Sequence, residues 1–299
     1  MICGPISLKL RNRRAPSAVM SITFTPTDET GGAAAGASFS LRNFAQHRLN
    51  RFVQWLVPLL VIILWQASVS SGLLSTHILP APSDVLAAGV QLLKSGELLQ
   101  NMWVSFWRAA VGFAIGGGIG FAFGLANGLS RGCEATFDST LQMVRNIPHL
   151  ALIPLVILWF GIGETAKIFL VALGVFFPIY INTLHGIRTV DPQLVEMGRI
   201  YGMTQRELFS RVLLPGALPS IFVGVRFGLG IMWLTLIVAE TIAASSGIGY
   251  MAMQAREFLL LDVVVLSILI YALLGKAADS AARLLERITL SWHPAFQKH

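Results

Sequence analysis

Apolar and polar positions alternate along this chain in long blocks rather than in short periods. Apolar runs cover residues 52–71, 104–129, 141–160, 166–186, 220–240 and 260–278. At ~1.5 Å of rise per helical residue, runs of about 20 residues match a ~30 Å hydrocarbon layer. The pattern predicts an all-α, polytopic membrane protein with six transmembrane helices. Pro148 and Pro154 fall inside the third run and predict a kink or local break there.

The polar interruptions carry turn chemistry. Leu79-Pro80-Ala81-Pro82-Ser83 reads as an extended, turn-forming piece, followed by an amphipathic helix over 84–99. Gly161-Ile162-Gly163-Glu164 and Ser245-Ser246-Gly247-Ile248-Gly249-Tyr250 read as turns, the second within a polar segment over 241–259. Residues 1–50 have no apolar core and are expected to form a disordered tail. No apolar run of about 7–15 residues follows its basic cluster (Lys9, Arg11, Arg13, Arg14), which argues against a signal peptide, and Met20 offers a second start. Residues 283–299 form a closing tail. From Asp279 onward the chain is basic and amphipathic, with Arg283, Arg287 and Trp292 placed for a membrane interface.

The interruption over 188–219 is different in kind. Asp191-Pro192 is a helix start, a capping side chain followed by proline where a missing N–H costs nothing. A helix can run to Tyr201, with Gly202 as its left-handed stop. Thr204 and Glu207 form a capping box for a second helix, which is expected to stop before Pro215. The hairpin has an apolar side (Leu194, Ile200, Leu208, Phe209, Val212) and reads as a rigid docking element. Its anchoring at both ends to bilayer spans argues against DNA binding by a helix–turn–helix.

Composition strengthens the membrane reading. The 299 residues are 55% hydrophobic and 12% charged, against about 25% charged in soluble domains. The net charge of +7 is explained by its distribution. With both termini on one side, 17 Lys/Arg fall there: seven before the first span, then Arg131, Arg145, Arg188, Arg199, Arg206, Arg211, Lys276, Arg283, Arg287 and Lys298. Lys94, Arg108, Lys167 and Arg256 fall on the other side, and this bias places the hairpin and both termini in the cytoplasm. Arg226 is left as the one clear charge inside a span, and Glu240 marks the outer end of the fifth.

Gly112, Gly116, Gly120, Gly124 and Gly128 recur every fourth residue and predict close helix packing. Arg226, Asn182 and His149 are candidates for a substrate path, each with a simpler alternative: snorkelling for Arg226, interhelical hydrogen bonds for the other two. Cys3 and Cys133 form no paired motif, and the histidines show no ligand spacing, so no disulfide, metal site or cofactor is expected. No coupling carboxylate lies in mid-span, which disfavours an ion-gradient transporter. No clustered acid/base set points to an enzyme.

Glu196-Met197-Gly198, Gly202 six residues after the Glu, and Val212-x-Leu214-Pro215 ending nineteen after it resemble the EAA signature of type I ABC importer permeases. Met197 and Gly198 stand where that family usually has two alanines. Leu79-Pro80-Ala81-Pro82-Ser83, the run over 145–155 leading to Trp159-Phe160-Gly161-Ile162-Gly163-Glu164, and the run over 177–183 resemble the sulfonate/nitrate/taurine branch. Gly224-Val225-Arg226-Phe227, the run over 232–241, and Ala255-Arg256-Glu257-Phe258-Leu259 are most similar to aliphatic sulfonate permeases.

The resemblance covers about 54–296 and implies a transmembrane core over 98–282 in an inner-membrane, lipid-embedded homodimer. It further implies two copies of a cytoplasmic ATP-binding subunit and a periplasmic sulfonate-binding protein. Glu196, Met197, Gly198, Gly202, Leu214 and Pro215 would be the ATPase-coupling set, and no residue of this chain would be catalytic. Taurine, nitrate or another small anion is the alternative cargo.

Overall fold

Among the residues described by the computed structural model, 56–76 and 78–292, there is no strand. The expected tail over 1–50, with Cys3 and Met20, lies outside the described residues, as do 52–55 of the first expected span and 293–299 of the closing tail. The chain divides into two units. Met1–Leu60 is described only in the opening turn of α1 (Leu56–Ser70), and Val61–His299 holds everything discussed below.

The elements after α1 are α2 (Pro82–Lys94), α3 (Glu97–Leu129), α4 (Arg131–Arg145), a 3₁₀ turn (His149–Leu152) leading into α5 (Ile153–Phe160), and α6 (Glu164–Arg188). Then come α7 (Pro192–Ile200), α8 (Gln205–Leu208), a π turn (Phe209–Leu213), α9 (Leu214–Ala243), α10 (Ile248–Glu257) and α11 (Leu261–Thr289). Among the described residues, α3, α6, the continuous helix Gln205–Ala243 and α11 are long and apolar enough to cross a membrane. Segments Arg131–Arg145 and His149–Phe160 form a pair bent by 81°, a fifth crossing if counted as one. The apolar helix α1 is shorter than these.

Several boundaries differ from the sequence expectation for identifiable reasons. The helix expected over 84–99 ends at Lys94, because Gly96 is held at φ 80° and Leu99 already belongs to α3. The third expected run divides. Its residues 141–145 lie in α4, which buries no side chain, and the apolar part begins only after Pro148. Ile147 precedes a proline and is pushed out of helical geometry, so the break falls there. Pro154, expected to interrupt, sits in the first turn of α5, where a missing N–H costs nothing.

Pro215 does not end the hairpin's second helix. A π turn shifts the hydrogen-bond register by one residue, and Pro215 then falls in the opening turn of α9. Gln205 to Ala243 is therefore helical throughout. Likewise α11 runs on to Thr289, past the expected end at 278, so part of the expected closing tail is helical, and α10 occupies the expected outer segment.

Helix α6 is the centre of the bundle, lying between α3 and α9. On α3, a Cβ at Gly116 would collide with the Ala172 carbonyl. At Gly112, Gly120, Gly124 and Gly128 it would come within 2.6, 2.5, 2.7 and 2.9 Å of Val171, Phe176, Thr183 and Ile187. The five glycines thus let two helices meet closely along about four and a half turns. On the other side, a Cβ at Gly186 would lie 2.8 Å from the Ala217 carbonyl, and one at Gly224 2.7 Å from Asn182. Around this trio the apolar core is closed by α10 and α11 through Ile248, Met251, Ile270 and Tyr271.

Replacing Gly116 by valine is expected to force α3 from α6 and lower stability by about 1–3 kcal/mol. Gly118→Ala, which meets no atom within 4 Å, is the control and should leave thermal unfolding in detergent unchanged. Equal melting shifts for the two variants would contradict this packing.

Candidate functional site

The hairpin between α6 and α9 is built from local signals. Asp191 caps α7 by accepting from the Gln193 amide at 2.8 Å, and Pro192 opens the helix. At the far end Gly202 sits at φ 74°. The Met203 amide donates to the Gly198 carbonyl and the Gly202 amide to the Arg199 carbonyl, both at 3.0 Å. These two bonds are a Schellman stop, which requires the left-handed residue in between. Thr204 and Glu207 complete their capping box, and α8 starts at once.

The second helix folds back on the first at one point. Gly198 is buried, and a Cβ there would lie 2.8 Å from Leu208 Cδ1. Small size is therefore needed at Gly198, whereas its neighbour Met197 is exposed and free to be large. Leu194, Met197, Ile200 and Tyr201 stand out from the surface, the last two at 84% and 77% exposure. Glu196 is exposed and makes no hydrogen bond or ion pair among the described residues. Beside these side chains runs a groove of about 310 Å³, lined also by Arg211, Val212, Pro215 and Trp292. Leu214 and Pro215 lie in the first turn of α9, so the hairpin continues into that helix without a joint. The result is a short, stiff, partly apolar projection with one unpaired carboxylate.

The three candidate path residues do not converge. Asn182 Nδ2 donates to Pro178 of its own helix at 2.8 Å, and its backbone carbonyl accepts from Ser220. His149 Nε2 lies 3.0 Å from Thr235 Oγ1. Arg226 pairs with Asp279 at 3.2 Å and Glu286 at 3.7 Å on α11. Gly224, which meets Asn182, and Thr235, which meets His149, are eleven residues apart on α9, about 16 Å along the axis.

Sequence reasoning missed the densest polar cluster. Arg108 and Glu240, each 1% exposed, are paired at 2.8 Å, so Arg226 is not the one charge inside a helical span. Arg108 and Lys167 also do not belong in a count of loop cations, because both are buried within helices. All five guanidinium N–H groups of Arg108 are used: Nε and Nη2 on Glu164, Nη1 on Glu240 and the Ser246 carbonyl, and Nη2 again on Ser246 Oγ. Glu240 also accepts from Ser105, Tyr271 and the Gly249 amide, and Lys167 donates to Glu164. A Cβ at Gly249 would lie 2.6 Å from Glu240, and one at Gly247 would press on its carboxylate. Two cations meet two carboxylates, and the set joins α3, α6, α9, α10 and α11. The available signal was a cation and an acid inside strongly apolar runs, each needing a partner.

Residues 114–289 match the family described as binding-protein-dependent transport system inner membrane component. The chain is 62% identical over 248 residues to SsuC of Escherichia coli K12, by name an aliphatic sulfonates transport permease. That match covers 83% of this chain and 94% of that protein. It is 46% identical over 242 residues to SsuC of Bacillus subtilis 168, covering 81% and 88%. It is 35% identical over 256 residues to TauC of E. coli K12, a taurine transport system permease, covering 83% and 93%. A crystal structure of an amino acid ABC transporter shares the fold at a TM-score of 0.55 and 19% identity, over 66% of this chain and 96% of that one.

Arg108→Ala would leave Glu240 buried without its cation and is expected to cost about 3–5 kcal/mol. Arg211→Ala removes a pair with Glu207 that is exposed on both sides, 68% and 42%, and should cost clearly less. Tryptophan-monitored thermal unfolding of the two variants checks the order, and an equal or reversed ranking would refute it.

Proposed function

This chain belongs to the family of binding-protein-dependent transport system inner membrane components, and from that premise we propose that it carries aliphatic sulfonates across the inner membrane. It is a multi-pass permease subunit of an ATP-driven importer, and in this family ATP hydrolysis belongs to a separate subunit. Membership also implies a substrate-binding protein as partner. The observation that carries the substrate is the 62% identity to an aliphatic sulfonates permease over 94% of its length, against 35% to a taurine permease.

Six spans hold both termini in the cytoplasm, counting α1 with its apolar lead-in and the bent pair as one each. Two copies of the chain, surrounded by membrane lipid, form the path, and selectivity resides mainly in a periplasmic sulfonate-binding protein. Each copy docks one ATPase subunit through Glu196, Met197, Gly198, Gly202, Leu214 and Pro215. The support is the exposed apolar face of α7, its unpaired Glu196, and the unbroken helix from Gln205 to Ala243. A stiff projection continuous with a span converts movement of a docked partner into movement of that span. Arg226, Asn182 and His149 remain candidates for the path, each also engaged in contacts between or within helices.

Vesicles containing the permease, its ATPase and its binding protein should take up labelled alkanesulfonate with ATP and not without it. Uptake of taurine or nitrate in preference would overturn the substrate assignment. Glu196→Lys and Gly202→Asp should leave a folded permease with uptake reduced at least about tenfold. Parental uptake in both would remove the docking assignment.

A further inference from the structure

Helix α4 is attached to the bundle in an unusual way. It buries none of its residues, so no apolar face holds it. Its links are polar and edge-on. Glu134 pairs with Arg188 at 2.5 Å, Asp138 accepts from the Tyr180 hydroxyl at 3.2 Å, and Phe137 meets Phe123 edge to face. Glu134 and Asp138 are one turn apart and so share a helix face, and both partners lie on α6. Tyr180 is in turn held by Asn127 of α3 at 3.0 Å.

Arg188 is the last residue of α6, and only Thr189, Val190 and Asp191 separate it from α7. That stem is braced. The Thr189 hydroxyl bonds back to the His185 carbonyl at 2.9 Å, and Val190 packs against Gly216. Arg188 thus stands where α6 passes into the hairpin, and its Nη2 also donates to the Asn127 carbonyl of α3 at 3.4 Å. The other end of α4 leads into the Pro148 bend, the His149–Thr235 contact and α5.

We propose that the Arg188–Glu134 ion pair is a positioning contact that carries movement of the α7 hairpin into α4 and, through the bend at Pro148, into α5. The inference rests on the docking reading of the hairpin. The pair's side chains are 38% and 35% exposed, and such pairs add little to stability. Its consequence is orientation: it sets where α4 stands when the hairpin moves. Position between two sites alone does not establish coupling, so the test must measure the pair as a pair.

The test uses the complete complex, with three readouts: co-purification of the ATPase, ATP hydrolysis and sulfonate uptake. Arg188→Glu and Glu134→Arg should each retain the ATPase and hydrolyse ATP while uptake falls at least about fivefold, and the double exchange should return it to within about twofold of the parent. Parental uptake in the single variants, or an exchange no better than either, overturns the proposal. If a reversal variant fails to accumulate, Arg188→Gln, Glu134→Gln and their combination replace it. The combination should then be no worse than either alone, and additive losses would refute the coupling. Failure of the docking reading looks different: Glu196→Lys would then keep parental uptake. An idle ion pair shows instead as loss in Glu196→Lys with none in Arg188→Glu.

Discussion

A guanidinium in a low-dielectric interior must have every N–H answered, and Arg108 imposes that requirement on one whole end of the bundle. Its partners come from α6, α9 and the turn before α10, and Glu240 adds α3, α10 and α11 to the same set. Each helix must reach a common depth and rotation for the bonds to close. Gly247 and Gly249 are required there because any side chain would push the carboxylate from its donors. The energy of such a cluster lies less in what it adds than in what is lost when one member is missing, since the remainder is charge without water or partner. It selects one arrangement of five helices and penalises others.

From this knot the packing proceeds by backbone contact. The α3 glycines bring that helix onto α6, and Gly186 and Gly224 bring α6 and α9 together. Lipid tails and apolar side chains are alike in polarity, so close approach and dispersion replace the hydrophobic drive that would join helices in water. A trio joined this way has little freedom to slide, because each glycine gap accepts one opposing atom.

The hairpin end contrasts with the Arg108 end. Its ion pairs, Arg188–Glu134 and Arg211–Glu207, are both partly exposed, and α4 is held without a buried residue. Half-exposed pairs add little to stability, whereas losing one partner of the buried Arg108–Glu240 pair costs several kcal/mol, about 3–5. The distribution of charge along the bundle thus separates an end closed by buried charge from one whose ion pairs are exposed, and the latter carries the exposed face of α7.

How much of this was legible in the sequence follows from the range of each interaction. The long helices, the Asp191 cap, the Gly202 stop, the Thr204–Glu207 box and the glycine stripe depend on residues within about one turn, or on a repeat of four, and all can be read in order along the chain. The shape of the hairpin over 191–208 was legible for the same reason: its spacings are the geometry of one Schellman stop and one helix restart. The fate of Pro215 was not, because a π turn over Phe209–Leu213 removes the conflict that would have ended the helix. The break at Pro148 was legible, but its 81° angle and the length of α11 were not. Above all, sequence shows that Arg108 needs a counter-charge but not which one. Its acids lie 56 and 132 positions away. Desolvation makes a partner obligatory, and only the tertiary fold, by bringing particular helix faces together, decides its identity.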